Sequence, residues 1–541
     1  MAEPSLEQAE SGHRLARGVA VFSSLTMLSR VLGLVRDIVW AYFFSRPILG
    51  AFIFAWRIPN TFRNLVAEGA ANAAYVPVFT EYFSTKSRDE VKQLIGAVTT
   101  VTLLVLAVLT TVGIVVAPVL GTFVRGLQNV SAGEGPTEEN LRLTIRLTRL
   151  VFPYLFLIGV TALGMGLLTS LRSFAAPAFS PVLLNVSIIA ACVLLRDQFH
   201  PPVMSLVVGV LVGGIAQVLV QFATLARKGM YPRFGLALTH PGLRTMGLLF
   251  LPTLVGQAVG QVNLLVDSIF ADSLGPDKVS SLYYANRLLQ LPLGVFGVAI
   301  STVALASMST YAAQGEMRKL IETMGRGLRM VCFVTFPAAV GLAVLRKPVI
   351  GLLFQHGDYF DEAATAEVAY ALLFYLIGMA SFASVKTVVS AFYAMKETRV
   401  PVVCASISMA TNVGLNFLLI RPLQIGGLAL ATTLSFTLNL ALLVTMLRRR
   451  LGTLGLAHVA RAASRIGVSA ALMGLAVWCV LRLTAAATPS ATYGGRALQV
   501  GAPLAVGVIV YVALCSLLRV AELKEFLAGF GKTRRPVSDF D

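Results

Sequence analysis

Residues 98–120 read VTTVTLLVLAVLTTVGIVVAPVL, twenty-three positions without a charge. A helix needs about 20 apolar residues to cross a hydrocarbon core of ~30 Å, so this run reads as a transmembrane helix. Residues 203–226, 428–447 and 500–518 repeat the pattern. Short strands alternating in polarity, the barrel signature, are absent. Only 13% of the 541 residues are charged, 56% are hydrophobic, and mean hydropathy is +0.78. A soluble chain carries roughly a quarter charged residues, so this one cannot cover a water-facing surface.

The net charge of +18 does not point to nucleic acid. Its cations sit at the ends of apolar blocks, for example Arg14 and Arg17, Lys86 to Lys92, Arg318 and Lys319, and residues 448–465 and 519–535. The alternate loops are poorer in them, roughly 24 Lys/Arg on one side against about 10 on the other. This asymmetry predicts two cytoplasmic termini and an even number of spans. No cleaved signal peptide is expected, because no short apolar stretch ends in a small-residue cleavage site. Cys192, Cys332, Cys404, Cys479 and Cys515 lie in apolar blocks without a CxxC and read as free thiols. The five histidines are scattered and predict no metal cluster.

The pattern predicts an all-α polytopic protein of about fourteen spans: 18–44, 48–83, 91–122, 143–172, 178–196, 202–226, 243–272, 278–313, 320–346, 365–395, 401–420, 425–447, 464–485 and 497–519. The second and eighth are over-long and weakly apolar. Prolines such as Pro59, Pro77, Pro153, Pro252, Pro292 and Pro337 interrupt the spans, which is tolerated where neighbouring helices or a wet cavity satisfy the freed carbonyl.

An internal repeat is present. Residues 154–159 (YLFLIG) resemble 373–378 (LFYLIG), each followed at nearly equal distance by Pro-Val, at 181 and 401. Ala55-Trp-Arg57-Ile58 resembles Ala285-Asn-Arg287-Leu288. The offset is 219 to 230 residues. The chain therefore divides into a tail (1–17), a six-helix lobe (18–226), a second six-helix lobe (243–447), two added helices (464–519) and a C-terminal tail (520–541). Parallel repeats are a transporter architecture, with the site expected between them.

Charges inside spans are expensive and usually face a cavity or a partner. The first span holds Ser29, Arg30, Arg36 and Asp37; the second holds Arg57, Arg63 and Glu68; the eighth holds Arg287; the tenth holds Lys386. Arg30 and Asp37 are seven apart, on one helical face, and Arg57 and Glu68 eleven apart. Local neutralisation, Arg36 by Asp37 and Arg63 by Glu68, is one reading. It does not cover the set, because cations outnumber anions. An excess of membrane-embedded guanidinium needs an outside anion, and arginine's planar fork suits phosphate.

A second polar set comprises Gln257, Gln261, Asn263, Asp267, Asn412, Asn416 and Thr432. It serves either as oxygen ligands for a small hard cation such as Na⁺ or as interhelical hydrogen bonding. No G-x-S-x-G, H-E-x-x-H or Walker lysine loop occurs, so no enzyme chemistry is expected. Gly209-x-x-x-Gly213 is a close-packing motif.

The run from Ser24 through Ser29-Arg30-Val-Leu-Gly33 to Arg36-Asp37 resembles the MurJ (MviN) lipid II flippases of bacteria. So do Pro59-Asn60 with Arg63, Ala67-Glu68-Gly69-Ala70, Val76-Pro77-Val78-Phe79, Phe152-Pro153-Tyr154, residues 177–185 and Tyr283-Tyr284-Ala285-x-Arg287-Leu288. The resemblance implies the fold of the multidrug/oligosaccharidyl-lipid/polysaccharide exporters and alternating access that carries lipid II across the bacterial inner membrane. It also implies that Arg30, Arg36, Arg63, Arg287 and Arg57 engage the pyrophosphate, with Ser29, Asp37 and Glu68 beside them. Spans 13 and 14 would form a groove for the polyprenyl tail, and cell-wall synthesis enzymes would be partners. The sodium site of some members maps onto Asp267, Asn412, Asn416 and Thr432, with Asn416 where an aspartate is expected. Coupling through sodium or through the membrane potential stays open. Gly50 stands where an aspartate is often found. An exporter of another polyprenyl-linked glycan, or of a drug, on the same fold is the alternative reading.

Overall fold

A computed structural model describes residues 6–65, 71–131, 135–230, 234–235, 237, 239–488 and 492–531. Glu68 and its neighbours Ala67, Gly69 and Ala70 lie outside the described residues, as do the two chain ends, 1–5 and 532–541, and the side chain of Gln257.

The described residues are helical, with no strand among them. In chain order the helices are α1 (Leu6–Phe43), α2 (Arg46–Phe62), α3 (Ala71–Thr85), α4 (Arg88–Ser131), α5 (Glu138–Val151), α6 (Pro153–Ser170), α7 (Ala175–Leu195), α8 (Met204–Arg227), α9 (Pro241–Leu274) and α10 (Pro276–Pro292). They continue as α11 (Val298–Ala313), α12 (Met317–Phe354), α13 (Glu362–Ile377), α14 (Met379–Ala394), α15 (Arg399–Leu423), α16 (Ile425–Leu451), α17 (Leu456–Ala487), α18 (Tyr493–Leu517) and α19 (Ala521–Gly531). Among the described residues nine helices are long and apolar enough to cross a membrane, or ten if the pair α13–α14, bent by 43°, is one span. The run at 98–120 falls inside α4, whose exposed side chains are apolar (Leu104, Val105, Val108, Leu109, Val112) as a lipid-facing surface requires.

The over-long segments are each assigned as two helices. The span expected at 48–83 is α2 and α3, and the one at 278–313 is α10 and α11. The breaks share a form. Residues 63–65 make a π turn after Pro59, and Leu293–Gly297 make another after Pro292. Proline removes a helical donor, and the wider i→i+5 turn accommodates the mismatch. The two π turns begin 230 residues apart, the offset of the Ala55/Ala285 similarity. Pro153 likewise ends one helix and opens the next, standing at the first position of α6, where its missing donor costs nothing.

The chain forms two compact units. The first comprises Met1–Ser280 with Gly357–Tyr359, and the second Ser281–His356 with Phe360–Asp541. Helix α9, which the repeat would start the second half with, packs on α2, α3 and α4 of the first unit. Within that unit α8 lies along α7, and a Cβ on Gly209 would stand 2.8 Å from the Ile188 Cα. That is the close approach the small-residue motif allows.

In the second unit α12 packs on α17 and α18, around Phe333, Ile466, Met473 and Tyr511. The Tyr511 hydroxyl donates to the Phe333 carbonyl at 2.6 Å. Helix α19 is fastened there too. Arg329 donates to the nearly buried Glu522 at 2.7 Å, and the Phe526 ring lies tilted against Phe333 and Phe296. Arg329 is a quarter exposed, so the pair is worth less than a fully buried one, about 1–2 kcal/mol. Glu522→Ala is therefore expected to speed tryptic cleavage at Lys524 about tenfold, followed by limited proteolysis of the purified protein. Cleavage at the parent rate would show that the pair does not hold α19.

Candidate functional site

The first unit carries four of the five arginines. Helix α1 supplies Arg30 and Arg36, α2 supplies Arg57, and the π turn after α2 supplies Arg63.

Arg36 is buried and held from several directions. Its Nε and one terminal nitrogen donate to Asp37 Oδ1 at 3.1 and 2.8 Å. The other terminal nitrogen donates to Asn185 Oδ1 of α7 at 3.1 Å. The guanidinium also sits 4.4 Å from the Trp40 ring centroid and 5.0 Å from that of Trp56. Trp40, Trp56 and Phe52 pack edge-on or stacked at 5.5–6.0 Å, joining α1 to α2. Asn185 closes the frame by donating to the Ser29 carbonyl at 3.1 Å and its hydroxyl at 3.4 Å. A buried ion pair survives only when further hydrogen bonds and aromatic faces compensate its lost hydration, and both are present.

The other members differ. Arg30 is exposed while Asp37 is 0% exposed, so seven-residue spacing on α1 does not make them partners. Arg57 is half-buried between Trp56 and Ile58 on the buried face of α2. Arg63 donates to Asn64 Oδ1 at 3.1 Å, and Asn64 donates to Gln261 of α9 at 3.3 Å. In the second unit Arg287 is half-buried on α10, three residues after Tyr284, whose ring lies against Phe354 and Phe360 at 4.6 and 5.6 Å. Lys386 on α14 is exposed.

The second polar set is split as well. Asp267 is buried on α9 of the first unit. Asn412, Asn416 and Thr432 are buried in the second, where Asn416 donates to Asn412 Oδ1 at 3.0 Å and Asn412 to Thr432 Oγ1 at 3.4 Å. These three oxygen-bearing side chains bridge α15 and α16, and their donor chemistry fits a hard cation, although none of the three carries a charge. Among the described residues no cluster of three His, Cys, Asp or Glu could hold a metal.

Sequence reasoning passes over Asn185, Trp40 and Trp56, the groups that enclose Arg36. An amide in an apolar span is itself a signal of an interhelical bond. The aromatic partners carry no such mark.

The family model described as "Lipid II flippase MurJ" matches residues 39–491. The chain belongs to the MurJ family. Its likeness to the probable lipid II flippase MurJ of Vibrio cholerae serotype O1 is 35% identity, over 94% of this chain and 98% of that one. The lipid II flippase MurJ of Burkholderia cenocepacia is 33% identical over 86% and 90%. Among solved structures, a lipid II flippase MurJ in an inward closed conformation covers 92% of this chain and 98% of its own, at TM-score 0.74 and 24% identity. An inward-facing multidrug resistance MATE transporter superposes at TM-score 0.66 and 15% identity, over 80% and 98%. These two carry the fold alone, and it is the exporter fold the resemblance implied. MurJ membership and the apolar helices make this a multi-pass protein of the bacterial inner membrane.

Proposed function

We propose that the chain is a lipid II flippase, moving the undecaprenyl-pyrophosphate-linked peptidoglycan precursor to the outer leaflet by alternating access. The observation that carries this reading is MurJ membership over 39–491, joined to an excess of arginine over carboxylate in the spans. Lipid II has a headgroup too polar for hydrocarbon and a tail that need not leave it, so the protein has only to shelter the head. No bond is made or broken, and the chain acts as a transporter rather than an enzyme.

In this reading Arg30, Arg57 and Arg63, and separately Arg287, give charge-assisted hydrogen bonds to the pyrophosphate. Arg36 is a positioning residue that fixes α1 against α7 and the tryptophans. Ser29 is tied into the same frame through Asn185, and Glu68 remains a candidate partner for Arg63. The fourteen spans, the two six-helix halves, the tail groove at 464–519 and cytoplasmic termini belong to the same proposal. So does docking to cell-wall synthesis enzymes. Asp267 in the first unit and Asn412, Asn416 and Thr432 in the second are the candidate sodium ligands, and coupling through sodium or through the membrane potential belongs to the same proposal.

The test is complementation of a strain depleted of its own lipid II flippase. Each charge-assisted contact is worth roughly 1.5–3 kcal/mol, so Arg30→Ala, Arg63→Ala and Arg287→Ala should each lower translocation about ten- to hundredfold at parental membrane levels. Full rescue by all three variants would sink the arginine assignment. Failure of the parent chain to complement would sink the substrate.

A further inference from the structure

Inside the first unit, between α2, α3, α4, α6 and α9, lies a cavity of about 450 Å³. That is within the range of small-molecule sites, about 300–1,000 Å³. Its walls are almost wholly apolar. The hydroxyls of Tyr75 and Thr102, both on lining residues, bond each other at 3.2 Å and so satisfy one another. The one charged residue among those lining it is Arg63.

Shape and setting narrow the occupant. On α4 the lining runs from Val98 to Leu109, and on α9 from Leu243 to Leu254. Eleven helical steps rise ~17 Å, close to the ~15 Å depth of one leaflet of hydrocarbon. Two lining residues, Val105 and Leu109, are 51% and 38% exposed, on the same outward apolar face of α4 that would meet lipid. The cavity therefore has a side open to acyl chains. Such walls offer water few hydrogen-bond partners away from Arg63. A compact polar drug would leave its polar groups unpaired.

We infer that this cavity binds one acyl chain of an anionic phospholipid, whose phosphate is drawn to Arg63. No described residue of the expected tail groove at 464–519 lines it. It shares Arg63 with the proposed pyrophosphate contact, so the two anions compete for one guanidinium, and vesicles without lipid II read the phospholipid alone.

Gly247 provides a handle. It lines the cavity, and a Cβ built there has no heavy atom within 4 Å. Gly247→Leu should therefore fill the space without a clash, and on a helix it removes a flexible residue. The full-length chain carrying Phe250→Trp, a lining position, would be reconstituted in vesicles of phosphatidylcholine and phosphatidylglycerol, with bromine on the chains of one or the other. Its fluorescence would be read as the difference from the parent, which carries only native tryptophans. Brominated phosphatidylglycerol should quench the introduced indole about fivefold more effectively than brominated phosphatidylcholine, the scale of one arginine's attraction for anionic lipid. Adding Gly247→Leu should remove the extra quenching. Arg63→Gln should equalise the two lipids while leaving quenching in place. Equal quenching by both lipids in the Phe250→Trp chain would overturn the inference. So would a preference that survives Gly247→Leu. Val101→Phe, at another lining position, fills the same space should the leucine variant unfold.

Discussion

Asp37→Ala will destabilise this protein by about 3–5 kcal/mol, more than any arginine-to-alanine change outside the Arg36 frame. The pair is almost completely shielded, with side-chain exposures of 8% for Arg36 and 0% for Asp37. Removing the carboxylate strips the guanidinium of its counter-charge while Trp40, Trp56 and the Asn185 amide still enclose it. The cost is the desolvation of that charge, which the ion pair had offset. Thermal unfolding in detergent and the amount inserted in membranes measure it. The contrast lies in the double variant Arg36→Met with Asp37→Leu. Replacing a whole buried pair by apolar side chains of similar volume is often neutral, so it should recover most of the loss. A double variant as unstable as Asp37→Ala would mean that the aromatic frame itself requires the charge. An unchanged midpoint for Asp37→Ala would show that the pair contributes nothing to stability.

Gly50→Ala is the second large effect. A Cβ on Gly50 would stand 1.7 Å from the Pro276 carbonyl oxygen and 2.5 Å from its carbon. Both are backbone atoms, so no rotamer change relieves the clash. Overpacking costs about 1–3 kcal/mol where side chains can yield, and more where they cannot. The variant should lose stability or shift to an arrangement in which the start of α2 and Pro276 stand apart. Spin labels at Ile48 and Lys278, both partly exposed, would report a longer distance. A parental distance together with a parental melting point would deny the close approach. The same geometry bears on the aspartate that the resemblance led one to expect at this position. In this structure position 50 has no room for any side chain, whatever its charge.

Much of this is legible in the sequence, for reasons that particular residues make clear. The apolar runs at 98–120, 203–226, 428–447 and 500–518 form α4, α8, α16 and α18, because twenty uncharged residues in hydrocarbon have one way to satisfy their backbone. The MurJ resemblance is legible too, since it rests on charged positions that a generic span lacks. Contact across the fold is not. Adjacency suggests Arg36 with Asp37, but nothing in the spacing points 149 residues onward to Asn185. Periodicity puts Arg30 and Asp37 on one face, yet one is exposed and the other shielded, because periodicity gives direction along a helix and not what packs there. The breaks at 63–65 and 293–297 also escape, since a hydropathy window averages over them.

The wide turn at 293–297 sets the rotational register of the helix beyond it. A π turn holds one residue more than the helix around it, and one residue is worth about 100° of rotation. Every side chain of α11 beyond Gly297 therefore faces a direction that counting from Arg287 would get wrong. Deleting one residue within 293–297 could be absorbed by restoring an ordinary turn, whereas a deletion within α4 would have to rotate its whole lipid-facing stripe. Chain length is thus negotiable at 293–297 and rigid within a continuous span such as α4, and the negotiable point lies next to the helix that carries Arg287.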